Sequence, residues 1–151
     1  MAGLFMDTSA LVRRYDPEER GSASVEALCS RDAGHVVFTA RLTGLEVASA
    51  FNRKLREGRF DADRLEHVWA LFIAHWHEQY RVVGLDEPVF ARAEQLLFSY
   101  PLRAYDALQL ACGLRVAGLL SDLQRDLRFC TADRTQARAA AAEGLEVEYI
   151  A

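Results

Sequence analysis

The chain has 151 residues, of which 51% are hydrophobic and 26% are charged, and this length and balance predict one globular domain with a sizeable core. The formal net charge of -4 excludes a general electrostatic attraction to nucleic acid, so a nucleic-acid partner would need a local basic patch or a bound metal ion. The longest apolar run, residues 69–74, is too short to cross a bilayer, and the first residues lack the features of a secretory signal. We therefore expect a cytoplasmic protein without membrane contact.

The first predicted element is a buried strand that ends in a carboxylate. Residues 4–6 are apolar and lead directly to Asp7, after which Thr8 and Ser9 begin a helix. Ligands of open α/β sheets bind outside the carboxyl ends of the strands, so Asp7 is a candidate for chemistry. The alternative is that Asp7, Thr8 or Ser9 only caps the helix, which all three residue types do well.

Periodicity and turn residues predict the remaining elements. In chain order they are helices at residues 9–15 and 18–31, a strand at 35–39, helices at 41–57 and 61–80, a strand at 81–85, helices at 86–100 and 104–119, a strand at 127–131, a helix at 133–143 and a strand at 146–149. This alternation predicts an α/β fold in which a parallel sheet is covered by helices on both faces, in a single domain over residues 1–151.

The helical apolar positions predict which residues face the interior. In the helix at 86–100, the residues expected to point inward are Val89, Phe90, Ala93, Leu96 and Leu97. In the helix at 41–57, the apolar residues that recur at helical spacing are Leu42, Leu45, Ala48, Phe51 and Leu55. The apolar stripe of the helix at 61–80 is expected to be either core or a dimer face.

Histidines and cysteines do not predict a zinc site. His75 and His77 lie two residues apart on one helix and point away from each other, while His67 lies more than two turns from His75. The cysteines lack metal-ligand spacing and have apolar neighbours, which indicates reduced core thiols. They are Cys29, Cys112 and Cys130.

Three further acids occupy positions like that of Asp7. Glu46 lies in the first turns of the helix after the second strand, Asp106 begins the helix at 104–119, and Asp133 follows the fourth strand. Such points share one edge of a doubly wound sheet, so these acids are expected to converge in one cleft. The alternative treats Asp7 and Asp133 as caps, Asp106 as an acid favoured by the helix dipole, and Glu46 as an ordinary helix residue.

Four carboxylates in one cleft need a compensating charge. Two unit charges about 4 Å apart repel by about 4 kcal/mol at an effective dielectric constant near 20. Oxygen ligands with open positions suit Mg²⁺ or Mn²⁺, and such ions stabilise the charge that develops on a phosphoryl group during displacement. The predicted reaction is hydrolysis of a phosphodiester bond.

Four motifs in this chain resemble those of the PIN-domain family, particularly the VapC-type toxins of bacterial toxin-antitoxin pairs. They are MDTSAL at residues 6–11, LEV at 45–47, YDALQLA at 105–111 and TAD at 131–133. The resemblance extends over essentially the whole chain in order and length. It implies a three-layer α/β/α sandwich around a mainly parallel sheet, and a Mg²⁺- or Mn²⁺-dependent endoribonuclease.

The resemblance also implies roles for individual residues. It implies a catalytic and metal-binding quartet of carboxylates, namely Asp7, Glu46, Asp106 and Asp133. Asp7 and Asp106 would be the direct metal ligands, and the hydroxyls of Ser9 and Thr131 would support the acids or the bound water.

The implied partners are an RNA substrate, a second copy of the chain in a homodimer, and a cognate antitoxin that blocks the site. An acidic cleft would receive an arginine of the antitoxin for the same electrostatic reason that it receives a metal ion. Some of the arginines that flank the motifs are hypothesised to neutralise RNA phosphates, while most are expected to be ordinary solvated residues. They are Arg13, Arg14, Arg41, Arg103 and Arg134. Asp122 and Asp126, in a segment that resembles the family less, are also expected to be solvated.

Two other functions compete with this hypothesis. An aspartyl-phosphate phosphatase would use Asp7 as its nucleophile, but this chain has Ser9 where that enzyme needs a second Asp, and Glu46 would be unexplained. A catalytically silent PIN-like module would keep the fold and bind RNA or a protein. The complete set of acids argues against the silent module.

Overall fold

The structure is a computed structural model that describes residues 2–151. Its strands are β1 (Gly3–Met6), β2 (Val36–Ala40), β3 (Arg81–Val83), β4 (Leu127–Thr131) and β5 (Glu146–Tyr149). Its α-helices are α1 (Thr8–Leu11), α2 (Ser22–Cys29), α3 (Arg41–Arg56), α4 (Ala62–Glu78), α5 (Glu87–Ser99), α6 (Ala104–Asp122) and α7 (Arg134–Ala142). Short 3₁₀ helices follow α1 and α2, at Val12–Tyr15 and Arg31–Ala33.

The strands form one sheet in the order β3-β2-β1-β4-β5, and every pairing is parallel. β1 lies at the centre, where Phe5 is in register with Phe38 of β2 and with Phe129 of β4. Because all the strands run in the same direction, their carboxyl ends lie along one edge of the sheet. The predicted α/β class with a parallel sheet is confirmed.

The sheet separates two apolar cores because successive side chains of a strand point to opposite faces. Leu4 and Met6 of β1 pack into the core that the sheet shares mainly with α1 to α4. Phe5, between them, packs into the core formed with α5, α6 and α7, where its ring stacks on that of Phe129 with the centroids 5.4 Å apart. Helices on both faces make the three-layer α/β/α sandwich that the motifs predicted.

Aspartates explain where four of the seven α-helices begin. The side chains of Asp7, Asp61, Asp86 and Asp133 each accept a hydrogen bond from a backbone N–H in the first turn of α1, α4, α5 and α7, respectively. An N-cap acceptor satisfies one of the backbone donors that a helix leaves unpaired at its start. The caps therefore place these helices one residue later than the ranges predicted at 61–80, 86–100 and 133–143.

The predicted helix at residues 18–31 is shorter in the structure, where residues 17–21 form turns and α2 begins at Ser22. A buried ion pair accounts for this change. Lys54 Nζ donates to Asp16 Oδ2 at 2.7 Å and to Glu19 Oε2 at 2.9 Å, so the segment folds back onto α3 instead of continuing as a helix.

The predicted inward positions of Phe90 and Leu97 are wrong, since both side chains are exposed, and Leu45 of the apolar series on α3 is exposed as well. On α5 the buried side chains are Val89, Ala93 and Leu96, which use the spacing of four and three that faces the sheet. Helical spacing alone cannot distinguish this stripe from an adjacent apolar one. Phe90 and Leu97 are thus left at the surface.

No helix within residues 2–151 combines the length and apolar character needed to cross a bilayer. The three cysteines are free and buried, as predicted. Burial raises the pKa of the Cys29 thiol to about 11 and that of Cys112 to about 12, so these thiols are held in their neutral form.

Candidate active site

A cleft of about 790 Å³ opens at the edge of the sheet where the parallel strands end. The four predicted acids all line it: Asp7, Glu46, Asp106 and Asp133. They reach the cleft from the end of β1, the second turn of α3, the first turn of α6 and the cap of α7. Tertiary structure therefore brings together four carboxylates from separate parts of the chain.

Asp7 is the most deeply buried of these acids, with 3% of its surface exposed. Its Oδ1 accepts hydrogen bonds from Ser9 Oγ at 2.7 Å and from the Ala10 N–H at 3.0 Å. Burial raises the pKa of Asp7 to about 6, against the lowering effect of hydrogen bonds from Thr131, Ser9 and Ala10, and the charge of Asp106 raises it further. Asp7 is thus a carboxylate whose charge the surrounding protein only partly compensates.

The hydroxyls of Ser9 and Thr131 join the ends of β1 and β4. Ser9 Oγ, which donates to Asp7, also accepts from the Ala132 N–H at 2.9 Å and lies 3.2 Å from Thr131 Oγ1. Thr131 Oγ1 in turn accepts from the Asp133 N–H at 3.1 Å. Both predicted supporting residues therefore lie in a hydrogen-bonded path between Asp7 and Asp133.

Glu46 is held through one of its two carboxylate oxygens. Its Oε1 accepts from Thr8 Oγ1 at 2.8 Å and from Gln109 Nε2 at 2.9 Å. Gln109 Nε2 also lies 3.0 Å from Thr43 Oγ1. Thr8, Thr43 and Gln109 were not among the predicted site residues; Thr8 and Gln109 bond Glu46 directly, and Thr43 is linked to it only through them.

Helical spacing was the signal for two of these missed residues. Thr43 precedes Glu46 by three positions on α3, and Gln109 follows Asp106 by three positions on α6. Residues three apart lie on the same face of a helix, so Gln109 reaches the cleft beside Asp106, and Thr43 lies buried on the Glu46 side of α3.

Asp106 and Asp133 are both partly exposed. Burial raises the pKa of Asp106, and the charges of Asp133 and Glu46 add to this effect, while the Arg103 guanidinium opposes it from 3.4 Å. Asp133 Oδ1 accepts from the Gln136 N–H at 3.0 Å as the cap of α7. For Glu46 and Asp133, the hydrogen bonds found among residues 2–151 reach only one carboxylate oxygen, so the second is available to a ligand.

The sequence matches the PIN domain family over residues 4–142, a range that contains all four acids and nearly the whole chain. This chain belongs to the PIN domain family. The resemblance that the motifs indicated is confirmed at the level of the family. Among curated proteins, none matches the sequence significantly.

Several solved structures resemble this PIN domain. VapBC2 from Rickettsia felis, bound to a DNA fragment from its promoter, aligns with a TM-score of 0.63 over 97% of this chain and 98% of that chain, at 8% identity. VapC20 from Mycobacterium tuberculosis, a toxin that cleaves the sarcin-ricin loop, aligns with a TM-score of 0.62 over 94% and 95%, at 16% identity. FitAcB from Neisseria gonorrhoeae aligns with a TM-score of 0.61 over 95% of each chain, at 17% identity. At these identities the similarity shows a shared fold.

The ligand types in the PIN cleft fit a hard divalent cation. Within residues 2–151, no three His, Cys, Asp or Glu side chains are arranged to hold an ion, and Asp7, Glu46 and Asp133 each accept hydrogen bonds from the chain itself. The cleft nevertheless offers only oxygen ligands from its acids, one of them a buried carboxylate with a raised pKa, and such sets suit Mg²⁺ or Mn²⁺. The donor chemistry fits, while the side-chain positions do not pre-form the shell.

Two arginines, Arg53 and Arg103, line the PIN cleft. Arg103 was among the predicted phosphate-binding residues, whereas Arg53 was missed. Arg53 follows Glu46 by seven residues on α3, which is about two helical turns, so both side chains lie on the same face. That spacing was the available signal.

The other flanking arginines do not line the cleft. Arg14 was hypothesised to contact RNA or to be solvated, and both ideas are wrong because its guanidinium is held inside the fold. Its nitrogens donate to Glu26 at 2.8 Å, to the Gln79 side chain at 2.8 Å and to Tyr80 Oη at 2.9 Å. Arg13 pairs with Glu19, and the guanidinium groups of Arg41 and Arg134 lie over aromatic rings.

Proposed function

We propose that this PIN domain is a Mg²⁺- or Mn²⁺-dependent endoribonuclease and the cytoplasmic toxin of a toxin-antitoxin pair, with residues 1–151 forming one nuclease domain. The supporting observation is the convergence of four carboxylates in one cleft, at the carboxyl edge of a parallel sheet. Two arginines border the same cleft and would bind the phosphates of the substrate.

Each group of the cleft has a task in phosphodiester hydrolysis. A divalent ion held by Asp7 and Asp106, with Glu46 and Asp133 around it, would supply positive charge that stabilises the reacting phosphoryl group and makes water more acidic. Glu46, with one oxygen tethered and the other available, is suited to orient water and accept its proton.

Arg53 and Arg103 would hold the RNA backbone on the open side of the cleft. A guanidinium can donate two parallel hydrogen bonds to one phosphate, which fixes the orientation of the strand as well as its position. These contacts compensate for the overall acidity of the protein, whose formal net charge is -4. Binding is expected to weaken steeply with salt.

The antitoxin would cover the same cleft. Beside the acids, the lining includes the apolar side chains of Val12, Leu45, Ala50 and Tyr105. A partner that combines apolar residues with a basic side chain would bury the exposed Leu45 and Tyr105 and neutralise the carboxylates. Inhibition would follow because partner and substrate compete for one surface.

A homodimer is also proposed, with α5 as part of its interface. Phe98 is 95% exposed, and Phe90 and Leu97 on the same helix are exposed as well. Exposed apolar side chains clustered on one surface are typical of protein interfaces. Phe90 and Leu97, which were predicted to point inward, therefore lie with Phe98 on a surface that a second copy would cover.

The function is tested by comparing wild-type protein with Asp106→Asn on bacterial RNA, in Mg²⁺, in Mn²⁺ and with a chelator. Cleavage by the wild type should require the metal, and Asp106→Asn should cleave at least ~100-fold more slowly because one metal-binding charge is lost. Asp122→Asn is the matched control, since Asp122 is an exposed acid at the far end of the same helix, and it should cleave normally.

Two results would contradict this function. Cleavage that survives both the substitution and the chelator would exclude a metal-dependent mechanism through these acids. RNA binding without cleavage in either metal would favour the silent binding module. Thermal melting is a cheaper check, because an ion that binds only the folded state must raise the melting temperature of the wild type.

A further inference from the structure

Two glutamines lie beneath the acidic cleft. Gln109 is 2% exposed and Gln136 is 0% exposed, although both carry a polar amide. In each case Nε2 is hydrogen-bonded, while Oε1 is buried without a hydrogen-bond partner within residues 2–151. A buried carbonyl without a donor destabilises the fold, so these amides do not contribute to stability as an apolar side chain of that size would.

The orientation of both amides follows from their partners. Gln109 Nε2 lies 2.9 Å from Glu46 Oε1, and Gln136 Nε2 lies 2.8 Å from the Asp106 main-chain oxygen. An ionised carboxylate and a carbonyl can only accept hydrogen bonds, so rotating either amide by half a turn would place oxygen against oxygen. The unpartnered oxygens are therefore a consequence of the bridges that the nitrogens make.

Gln109 connects three helices around Glu46. From α6, its Nε2 reaches Glu46 Oε1 and Thr43 Oγ1 on α3, and it lies 2.9 Å from Thr8 Oγ1 on α1. Thr8 Oγ1 donates to the same Glu46 oxygen at 2.8 Å. Two donors thus hold one oxygen of Glu46, and the carboxylate keeps a defined orientation with its other oxygen available.

Gln136 connects the helix starts that carry the other two partly exposed acids. Its side chain donates to the main-chain oxygen of Asp106, in the first turn of α6. Its backbone N–H donates to Asp133 Oδ1 at 3.0 Å, at the cap of α7. One residue therefore links the backbone of one acid to the carboxylate of another.

We propose that Gln109 and Gln136 are positioning residues that keep Glu46, Asp106 and Asp133 around one cleft, from which a divalent ion can draw their available oxygens into its shell. Like-charged carboxylates repel, so without these bridges their side chains and helix ends would move apart. An amide can hold an acid without introducing a positive charge, whereas a buried lysine or arginine would compete with the metal ion for the carboxylates. This inference rests on the proposed metal-dependent nuclease function.

Gln109→Met and Gln136→Met test the inference, because methionine has a similar length and fills the same space without a donor. The probe is Mn²⁺ alone, titrated into purified protein and followed by the electron paramagnetic resonance signal of the free ion. Each variant is expected to bind Mn²⁺ about 10 to 100 times more weakly than the wild type. For RNA cleavage, kcat should fall while KM for RNA changes little, because neither glutamine hydrogen-bonds Arg53 or Arg103, which would bind phosphate.

Gln79→Met is the matched control. Gln79 is also a partly buried glutamine, but its Nε2 donates to the Cys29 main-chain oxygen and its Oε1 accepts from Arg14, away from the cleft. Gln79→Met should lower the melting temperature and leave the Mn²⁺ affinity and kcat unchanged. If a methionine variant fails to fold, the shorter Gln109→Asn or Gln136→Asn replaces it with the same expected loss of Mn²⁺ affinity.

The outcomes separate this inference from the function on which it rests. If the wild type neither binds Mn²⁺ nor cleaves RNA, the proposed function fails. If the wild type does both, but the glutamine variants bind Mn²⁺ as tightly as the wild type and lose only thermal stability, the positioning role is wrong. Weaker Mn²⁺ binding with an unchanged melting temperature supports the role directly.

Discussion

At the scale of single residues, Asp7 shows that capping and chemistry are compatible. Its Oδ1 accepts from the Ala10 N–H and from Ser9 Oγ, so Asp7 does cap α1, as the capping alternative predicted. The same residue borders the cleft, and its burial raises its pKa to about 6. A residue that only capped a helix would be more stable in a solvated position, where its charge has no desolvation cost.

The raised pKa predicts how Asp7 affects stability when no metal is bound. The unfolded chain releases this proton near pH 3.8 and the folded chain near pH 6, so the contribution of Asp7 is most favourable below about pH 4 and is lost as the pH rises to about 6. Each pKa unit corresponds to about 1.4 kcal/mol, so the loss is at most about 3 kcal/mol. Asp7→Asn should therefore gain stability relative to the wild type between pH 4.5 and 7.5, measured by urea unfolding in chelator.

Asp16→Asn is the control, because the contribution of Asp16 to folding stability should change with pH in the opposite direction. Burial alone would raise the pKa of Asp16, but the hydrogen bond and charge of Lys54 outweigh it and lower that pKa. Its contribution to stability is therefore present at neutral pH and lost as the pH falls through the lowered pKa, so Asp16→Asn should be most damaging at neutral pH. A difference between wild type and Asp7→Asn that does not change with pH would contradict the raised pKa of Asp7.

At the scale of elements, α6 combines the site with the packing that holds it. Its first turns carry Asp106 and Gln109 to the cleft, and its middle lies against the sheet at Gly113. A Cβ on Gly113 would come within 2.6 Å of the buried Phe129 ring, which is itself stacked on Phe5. The absence of a side chain at Gly113 therefore allows the helix to approach the sheet closely.

Gly113→Ala should destabilise the protein, although alanine is the better helix former. Intrinsic propensity favours alanine by about 1 kcal/mol, but overpacking a well-filled core typically costs about 1 to 3 kcal/mol. Gly118→Ala, in the same helix but with nothing within 4 Å of the added carbon, should instead stabilise by up to about 1 kcal/mol. Thermal or urea unfolding of the two variants measures both changes in stability. A stabilising Gly113→Ala would show that the helix can move away from Phe129.

At the scale of the whole molecule, the parallel sheet determines where function can be located. Asp7 comes from the central strand β1, and Asp133 from the segment after its neighbour β4. Parallel strands end at one edge, so these acids meet even though most of the chain lies between them. Asp126 lies at the opposite end of the strands, directly before β4. There it lines a separate pocket with Arg81 and Arg125 and does not join the four acids of the cleft.

The proposed homodimer makes a prediction at this scale. Replacing the 95% exposed Phe98 by serine should shift the protein from dimer towards monomer in light scattering, because the interface loses a large apolar side chain. Leu119 is also an exposed apolar residue, but it lies on α6 instead of α5. Leu119→Ser should therefore leave the mass of the dimer unchanged. A wild type that is monomeric at all micromolar concentrations would exclude the dimer, and an unchanged dimer in Phe98→Ser would exclude this face.

The sequence by itself determined the order of strands and helices, the parallel α/β class and the position of each acid at a strand end or a helix start. These features depend on local physics: apolar periodicity selects strand or helix, and side-chain acceptors and glycines mark where helices begin and end. The family motifs are also local, which is why four short segments were enough to indicate the PIN domain before any contact was known.

Only the tertiary structure decided which arginines reach the cleft, which apolar stripe of α5 faces the sheet, and that Gln109 and Gln136 bridge the acids. Closeness to a motif favoured Arg14 and not Arg53, yet Arg14 is bonded inside the fold and Arg53 lines the cleft. Such differences arise from contacts between elements far apart in the chain, whose direction depends on how helices pack onto the sheet. Helical spacing predicts which side chains share one face of a helix. Packing determines whether that face meets the sheet, the cleft or the solvent.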